Sequence, residues 1–138
     1  MTIHILEDDT SVLDALRVLV ELDGVRPAVH RSAESFFRSP PPDRDDLVIV
    51  DVELPGIGGV AVIRWLRRLQ APPRIVAISA QSEHYLSRVF KREPMPLMLQ
   101  KPLREDALAA VFEDGRLGRE GHDAPLPDGS GPGRPDGM

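Results

Sequence analysis

The chain has 138 residues, a net charge of −5 and 41% hydrophobic residues, a size and composition that fit one folded domain. The acidic balance argues against a general nucleic-acid footprint, and the lack of cysteine excludes disulfides, a thiol nucleophile and cysteine-ligated zinc. No apolar run approaches the roughly 20 residues of a membrane span, and Met1-Thr2-Ile3-His4 lacks the order of a signal peptide, so a soluble cytoplasmic protein is expected.

Ile3-His4-Ile5-Leu6 reads as the first strand, followed by the acidic cluster Glu7-Asp8-Asp9. A helix follows, with Thr10 or Ser11 near its cap and Val12, Leu13, Leu16, Leu19 and Val20 at helical spacing; Asp23-Gly24 ends it. A weak strand runs near Arg26 to His30, and Pro27 places it at an edge. Ser32 caps a short helix from Ala33 to Arg38, with Phe36 and Phe37 turned inward, and Pro40-Pro41-Pro42 stops it. Leu47-Val48-Ile49-Val50 is the clearest strand, apolar at every position as a central parallel strand must be. After the loop containing Gly56, Gly58 and Gly59, a helix stripe of Val60, Ile63, Leu66 and Leu69 runs toward Ala71-Pro72-Pro73, with Trp65 beside it. Arg64, Arg67 and Arg68 read as its solvated face. Ile75 to Ile78 is the fourth strand, Glu83 to about Arg92 the fourth helix, Leu97 to Leu99 the fifth strand and Leu103 to about Phe112 the fifth helix. Alternation of this kind predicts a parallel sheet covered on both faces, with every strand's C-terminus on one edge. From residue 115 to 138 the composition turns to Gly and Pro, and a disordered tail is expected.

Four strand ends carry chemistry. Asp51 closes the third strand, Glu7 and Asp8 follow the first, Ser79 ends the fourth and Lys101 follows the fifth. Each has a plain alternative: a helix N-terminal acidic pair for Glu7-Asp8, a turn residue for Asp51, a cap for Ser79 and a surface lysine for Lys101. Their conjunction at one sheet edge points further. Clustered carboxylates repel unless a cation or proton offsets them, and a site with only oxygen ligands suits Mg²⁺. Lys101 and Ser79 can hold phosphoryl oxygens while Asp51 acts as nucleophile, since carboxylates form acyl phosphates.

The segments Ile5-Leu6-Glu7-Asp8-Asp9, Val48 to Gly59, Ile78-Ser79-Ala80 and Lys101-Pro102 resemble the receiver domain of bacterial response regulators, of flavodoxin-like fold. The spacings agree: 44 positions from Glu7 to Asp51, 28 from Asp51 to Ser79 and 22 from Ser79 to Lys101. The resemblance covers residues 1–114 and implies a five-stranded (βα)5 doubly wound parallel sheet in the order 2-1-3-4-5. It implies that Asp51 accepts phosphate from the phosphohistidine of a histidine kinase or histidine phosphotransfer protein. It implies further that Glu7, Asp8, Asp51 and the backbone carbonyl of Glu53 position Mg²⁺, and that Ser79 and Lys101 contact the phosphoryl oxygens. Glu53 and Gln81, two residues after Asp51 and Ser79, flank the phosphoryl group in this family and influence its hydrolysis; Glu53 is also a candidate to pair with Lys101 when phosphate is absent.

Two departures from the family's pattern matter. Met98 stands where receivers carry a switch aromatic, and Pro94-Met95-Pro96 replaces the usual small residues, so an altered switch is expected in the fourth helix and fifth strand. The resemblance implies a phosphoacceptor rather than an enzyme, acting as a stand-alone receiver through protein contact without direct DNA binding. A homodimer through the fourth helix, fifth strand and fifth helix is a further expectation. Two alternatives stand beside it: a phosphorylation-independent binding module with a frozen switch, and a metal-dependent phosphatase with Asp51 as nucleophile and Glu53 as its acid/base.

Overall fold

An apolar residue at every position of a strand is stable only where both faces of the sheet are covered. The computed structural model, which describes residues 1–113, shows why the chain can do this; the expected tail at 115–138 lies outside the described residues. The elements in order are β1 (Ile3–Leu6), α1 (Thr10–Leu22), β2 (Pro27–His30), α2 (Ala33–Phe37), β3 (Leu47–Asp51), α3 (Gly59–Arg67), β4 (Arg74–Ser79), α4 (Glu83–Val89) and β5 (Leu97–Gln100). A last helix, α5, runs over residues 105–113. Two compact units divide between Leu108 and Ala109, and the whole sheet lies in the first.

All five strands are parallel, in the order β2-β1-β3-β4-β5. Side chains alternate across a strand, so β3 sends Val48 and Val50 to one face and Leu47 and Ile49 to the other; all are buried. Val48, Val50 and Leu6 pack with Phe36 of α2, Val62, Ile63 and Leu66 of α3, and Leu86 of α4. Helix α1, which contacts β1 and β2, buries Leu13, Leu16 and Val20. Burying each such aliphatic side chain stabilises the fold by about 1.5–3 kcal/mol.

Local chemistry sets the boundaries and corrects several expectations. Asp9, rather than Thr10 or Ser11, caps α1: its carboxylate accepts from the backbone N–H of Ser11 and Val12. Helix α4 ends at Val89, short of Arg92; Phe90 leaves helical geometry as the chain approaches Pro94. Leu69 lies past the end of α3 but still packs on the core. Of the three arginines expected on a solvated face, Arg68 is exposed, whereas Arg64 and Arg67 are half-buried and paired. Arg64 Nε donates to Glu93 Oε1 at 3.0 Å, and Arg67 Nη1 donates to the Pro94 carbonyl at 2.7 Å, tying α3 to the loop before β5.

Candidate functional site

The site begins with a reversal in strand order. The chain runs from β1 out to β2, then returns to the other side of β1 as β3, so a crevice opens beyond the C-terminal ends of β1 and β3. The register Leu6↔Val50 delivers the next residues, Glu7 and Asp51, side by side. Glu7 is fully buried and Asp51 is 2% exposed, while Asp8 is exposed. One oxygen from each of these three carboxylates lies within 4.8 Å of the others.

Backbone contacts fasten this edge. The Glu7 N–H donates to the His30 carbonyl at 3.0 Å, and the Lys101 N–H donates to the Ser79 carbonyl at 2.8 Å. The Glu53 N–H donates to Asp51 Oδ1 at 3.0 Å. Helix α3 starts hard against β3: the Gly59 N–H donates to the Val52 carbonyl, and a Cβ on Gly59 would collide with the Asp51 carbonyl oxygen and Val52 Cα. Only glycine fits at that approach.

Lys101 reaches over both buried acids, its ammonium 3.1 Å from Glu7 Oε1 and 3.3 Å from Asp51 Oδ2. The contact with Asp51 is a hydrogen bond. The approach to Glu7 Oε1 is close but poorly aligned, so that buried oxygen has an ion-pair neighbour and no hydrogen bond. Burial pushes Glu7 from 4.5 up to about 7; neighbouring Asp51 adds to the rise and Lys101 opposes it. For Lys101, burial favours the neutral amine, but Glu7 and Asp51 outweigh it and hold the pKa above the ordinary lysine value. Both groups of one ion pair rise, for different reasons: burial dominates at Glu7, while two carboxylates outweigh burial at Lys101. Three clustered carboxylates against one ammonium, all hard oxygen donors, make a donor set that fits a divalent cation such as Mg²⁺.

Ser79 is fully buried and donates its hydroxyl to Glu53 Oε2 at 2.7 Å. The Ala80 N–H donates to the other oxygen, Glu53 Oε1, at 3.3 Å. Glu53 therefore faces the end of β4, while Lys101 faces Glu7 and Asp51; the expected Glu53–Lys101 pair is replaced by these contacts. The Gln81 N–H donates to Ser79 Oγ, and Gln100 Nε2 donates to the Gln81 carbonyl.

Every singled-out strand-end residue thus lies at one edge, and the structure adds Arg31. Its Nη2 donates to the Asp8 carbonyl at 2.9 Å and to Thr10 Oγ1 at 3.0 Å, steadying the acidic loop from the end of β2. No spacing rule couples residues 8 and 31; only the pairing of β1 with β2 does. Met98 lies half-buried on β5 and borders a pocket of about 230 Å³ with Ser79, Leu86 and Met95. Tyr85 is 40% exposed on α4.

Residues 3–113 match the family described as the response regulator receiver domain. The chain is 25% identical over 119 residues to the transcriptional regulatory protein FixJ of Azorhizobium caulinodans, a match covering 86% of this chain and 56% of that one. It is 28% identical over 122 residues to nodulation protein W of Bradyrhizobium diazoefficiens, covering 86% and 54%. The chain spans about half the length of these curated relatives. Among solved structures it resembles a CheY-like receiver domain protein from Methanospirillum hungatei, with a TM-score of 0.73, 18% identity and coverage of 87% and 97%. It also resembles a sensor protein from Polaromonas, with a TM-score of 0.69, 28% identity and coverage of 83% and 94%. The strand order is that of the CheY-like, flavodoxin-like fold, and this chain belongs to the response regulator receiver domain family.

Proposed function

We propose that Asp51 is the phosphoacceptor of a two-component phosphorelay and takes its phosphoryl group from the phosphohistidine of a histidine kinase or histidine phosphotransfer protein. The observation that carries this reading is the placing of Lys101 Nζ 3.3 Å from Asp51 Oδ2 at the strand-order reversal, beside Glu7 and Asp8. An Asp51 oxygen bonds phosphorus as the phosphohistidine N–P bond breaks. The imidazole leaves as the neutral ring, its other nitrogen keeping a proton. The products are an acyl phosphate on Asp51 and free histidine. Lys101 holds an ammonium where charge gathers on the phosphoryl oxygens, and Ser79 supplies a hydroxyl from β4. Glu7, Asp8, Asp51 and the backbone carbonyl of Glu53 would hold Mg²⁺. Bound there, the ion offsets the phosphoryl charge.

Incubating the protein with Mg²⁺ and acetyl phosphate, then measuring intact mass, tests the reading. A single phosphate adduct lost in Asp51→Asn supports it; an adduct that survives Asp51→Asn, or none in the wild type, overturns it. Rapid turnover of unrelated phosphomonoesters would point to a phosphatase instead.

A second reading, a binding module whose switch is frozen, draws on the clamp at the other end of the loop before β5. Arg64 and Arg67 grip Glu93 and the Pro94 carbonyl, and Pro94 and Pro96 stiffen the segment around Met95. Amide shifts confined to the Asp51 neighbourhood on adding a phosphoryl mimic favour that reading. Shifts spread over residues 82–99 exclude it. The FixJ relatives are named transcriptional regulatory proteins, and this chain matches about half of their length.

A further inference from the structure

Ser79 has one hydroxyl proton and Ala80 one amide proton, and each can go to a single good acceptor at a time. Both go to Glu53: Oε2 takes the hydroxyl at 2.7 Å and Oε1 takes the amide at 3.3 Å. The remaining capacity of Ser79 Oγ accepts from the Gln81 N–H at 2.9 Å, which fixes the direction in which the hydroxyl points. The backbone of the same Glu53 donates to Asp51 Oδ1 at 3.0 Å. One residue therefore touches the acceptor carboxylate with its main chain and occupies both β4 donors with its side chain.

We propose that the Glu53 carboxylate is a resident anion seated where phosphoryl oxygens must bind, so that this receiver competes with its own phosphoryl group through Glu53. The proposal rests on the reading of Asp51 as phosphoacceptor and adds a regulatory role to Glu53's side chain. A tetrahedral phosphoryl group on Asp51 needs the Ser79 hydroxyl for one of its oxygens. That proton is released only when the Glu53 side chain swings off β4. The 2.7 Å contact from the Ser79 hydroxyl is a charge-assisted hydrogen bond, stronger than a neutral one, and the longer Ala80 contact holds the second oxygen in place. Phosphoryl binding therefore proceeds against the loss of both contacts. Glu53 is only partly buried, so its side chain has open space into which to move.

The shape of the contact separates occupation from simple charge repulsion. Glu53→Asp keeps the charge but is one methylene too short to reach Ser79. Glu53→Ala removes both charge and reach. Two measurements follow. In the metal-free protein, the Ala80 amide proton resonance of the wild type should show its hydrogen bond to the Glu53 carboxylate. It should move upfield in both variants; an unchanged Ala80 resonance overturns the proposal whatever Asp51 does. Binding of beryllofluoride with Mg²⁺, followed by fluorine NMR, should then tighten about tenfold in both Glu53→Ala and Glu53→Asp, as expected for release of one charged hydrogen-bonding contact. If Glu53→Asp binds like the wild type while Glu53→Ala gains, charge alone acts and the proposal fails. If neither gains, it also fails. Binding that persists in Asp51→Asn overturns the acceptor reading itself, which distinguishes that failure from failure of the Glu53 seat.

Discussion

Lys101 Nζ donates to Asp51 Oδ2 at 3.3 Å across 50 residues of sequence, and the same ammonium lies 3.1 Å from the fully buried Glu7. Removing it leaves two buried acids without their cation. Lys101→Met is expected to lower the stability of the metal-free protein at neutral pH by about 2–4 kcal/mol, because breaking a buried pair strands the partner charges. Urea denaturation checks this. Adding Asp51→Asn to Lys101→Met should recover much of the loss; two additive losses would show that the three groups do not interact.

Glu7 sets a pH dependence of opposite sign to that of most carboxylates. Its folded pKa, about 7, lies above the ordinary 4.5, so the fold favours the protonated acid. Stability from this group is fully present below about 4.5 and is lost as pH rises through about 7. Glu7→Gln should stabilise the metal-free protein at pH 8, by up to about 3 kcal/mol, and do little at pH 4. Thermal unfolding in chelator at the two pH values reads this out, and an equal effect at both would refute the assignment.

If Mg²⁺ is held by Glu7, Asp8 and Asp51 as proposed, it competes with the Glu7 proton for one pocket. Magnesium should therefore raise the unfolding midpoint more at pH 8 than at pH 5. The increment should vanish in Glu7→Gln with Asp51→Asn. A stabilisation that ignores both substitutions would place the ion elsewhere.

Gly59 lies where α3 meets the end of β3. Alanine ordinarily strengthens a helix by about 1 kcal/mol over glycine. Here its Cβ meets the Asp51 carbonyl oxygen and Val52 Cα, both main-chain atoms that cannot turn aside. Gly59→Ala is expected to destabilise by about 1–3 kcal/mol net and to displace Asp51. Denaturant midpoints and the Asp51 amide resonance test it together.

At the opposite end of the sheet, Asp46 accepts from the Thr2 N–H at 2.8 Å, the Asp43 N–H at 2.9 Å and lies 3.0 Å from His4 Nε2. Burial pushes its pKa up, but His4 and the two amides prevail and hold it below the usual aspartate value. Its stabilisation is present above the unfolded pKa and lost as pH falls through the depressed folded one. Asp46→Asn should cost about 1–3 kcal/mol at pH 7 and much less near pH 2. A loss that persists undiminished in acid would assign the effect to packing.

The register of apolar residues made most of the fold legible in one dimension. Leu47 to Val50 could be buried on both faces only at the centre of a parallel sheet, and Pro27 marked β2 as an edge, where it lies. Strand ends told which residues share an edge, because parallel strands with helical crossovers all finish on the same side. Ends of helices were less legible. The cap of α1 is Asp9 because its carboxylate, among three neighbouring acids, is the one placed to accept from Ser11 and Val12.

Sequence by itself determined which side chains crowd the C-terminal edge: Glu7, Asp8, Asp51, Ser79 and Lys101 stand at strand ends, and strand ends follow from local periodicity. Tertiary structure alone decided who holds whom. Lys101 goes to Glu7 and Asp51, Glu53 goes to Ser79 and Ala80, Arg31 reaches Asp8, and the α3 arginines grip Glu93 and Pro94. These pairings depend on distances between strands and on competition for single protons, and neither quantity is written in spacing along the chain.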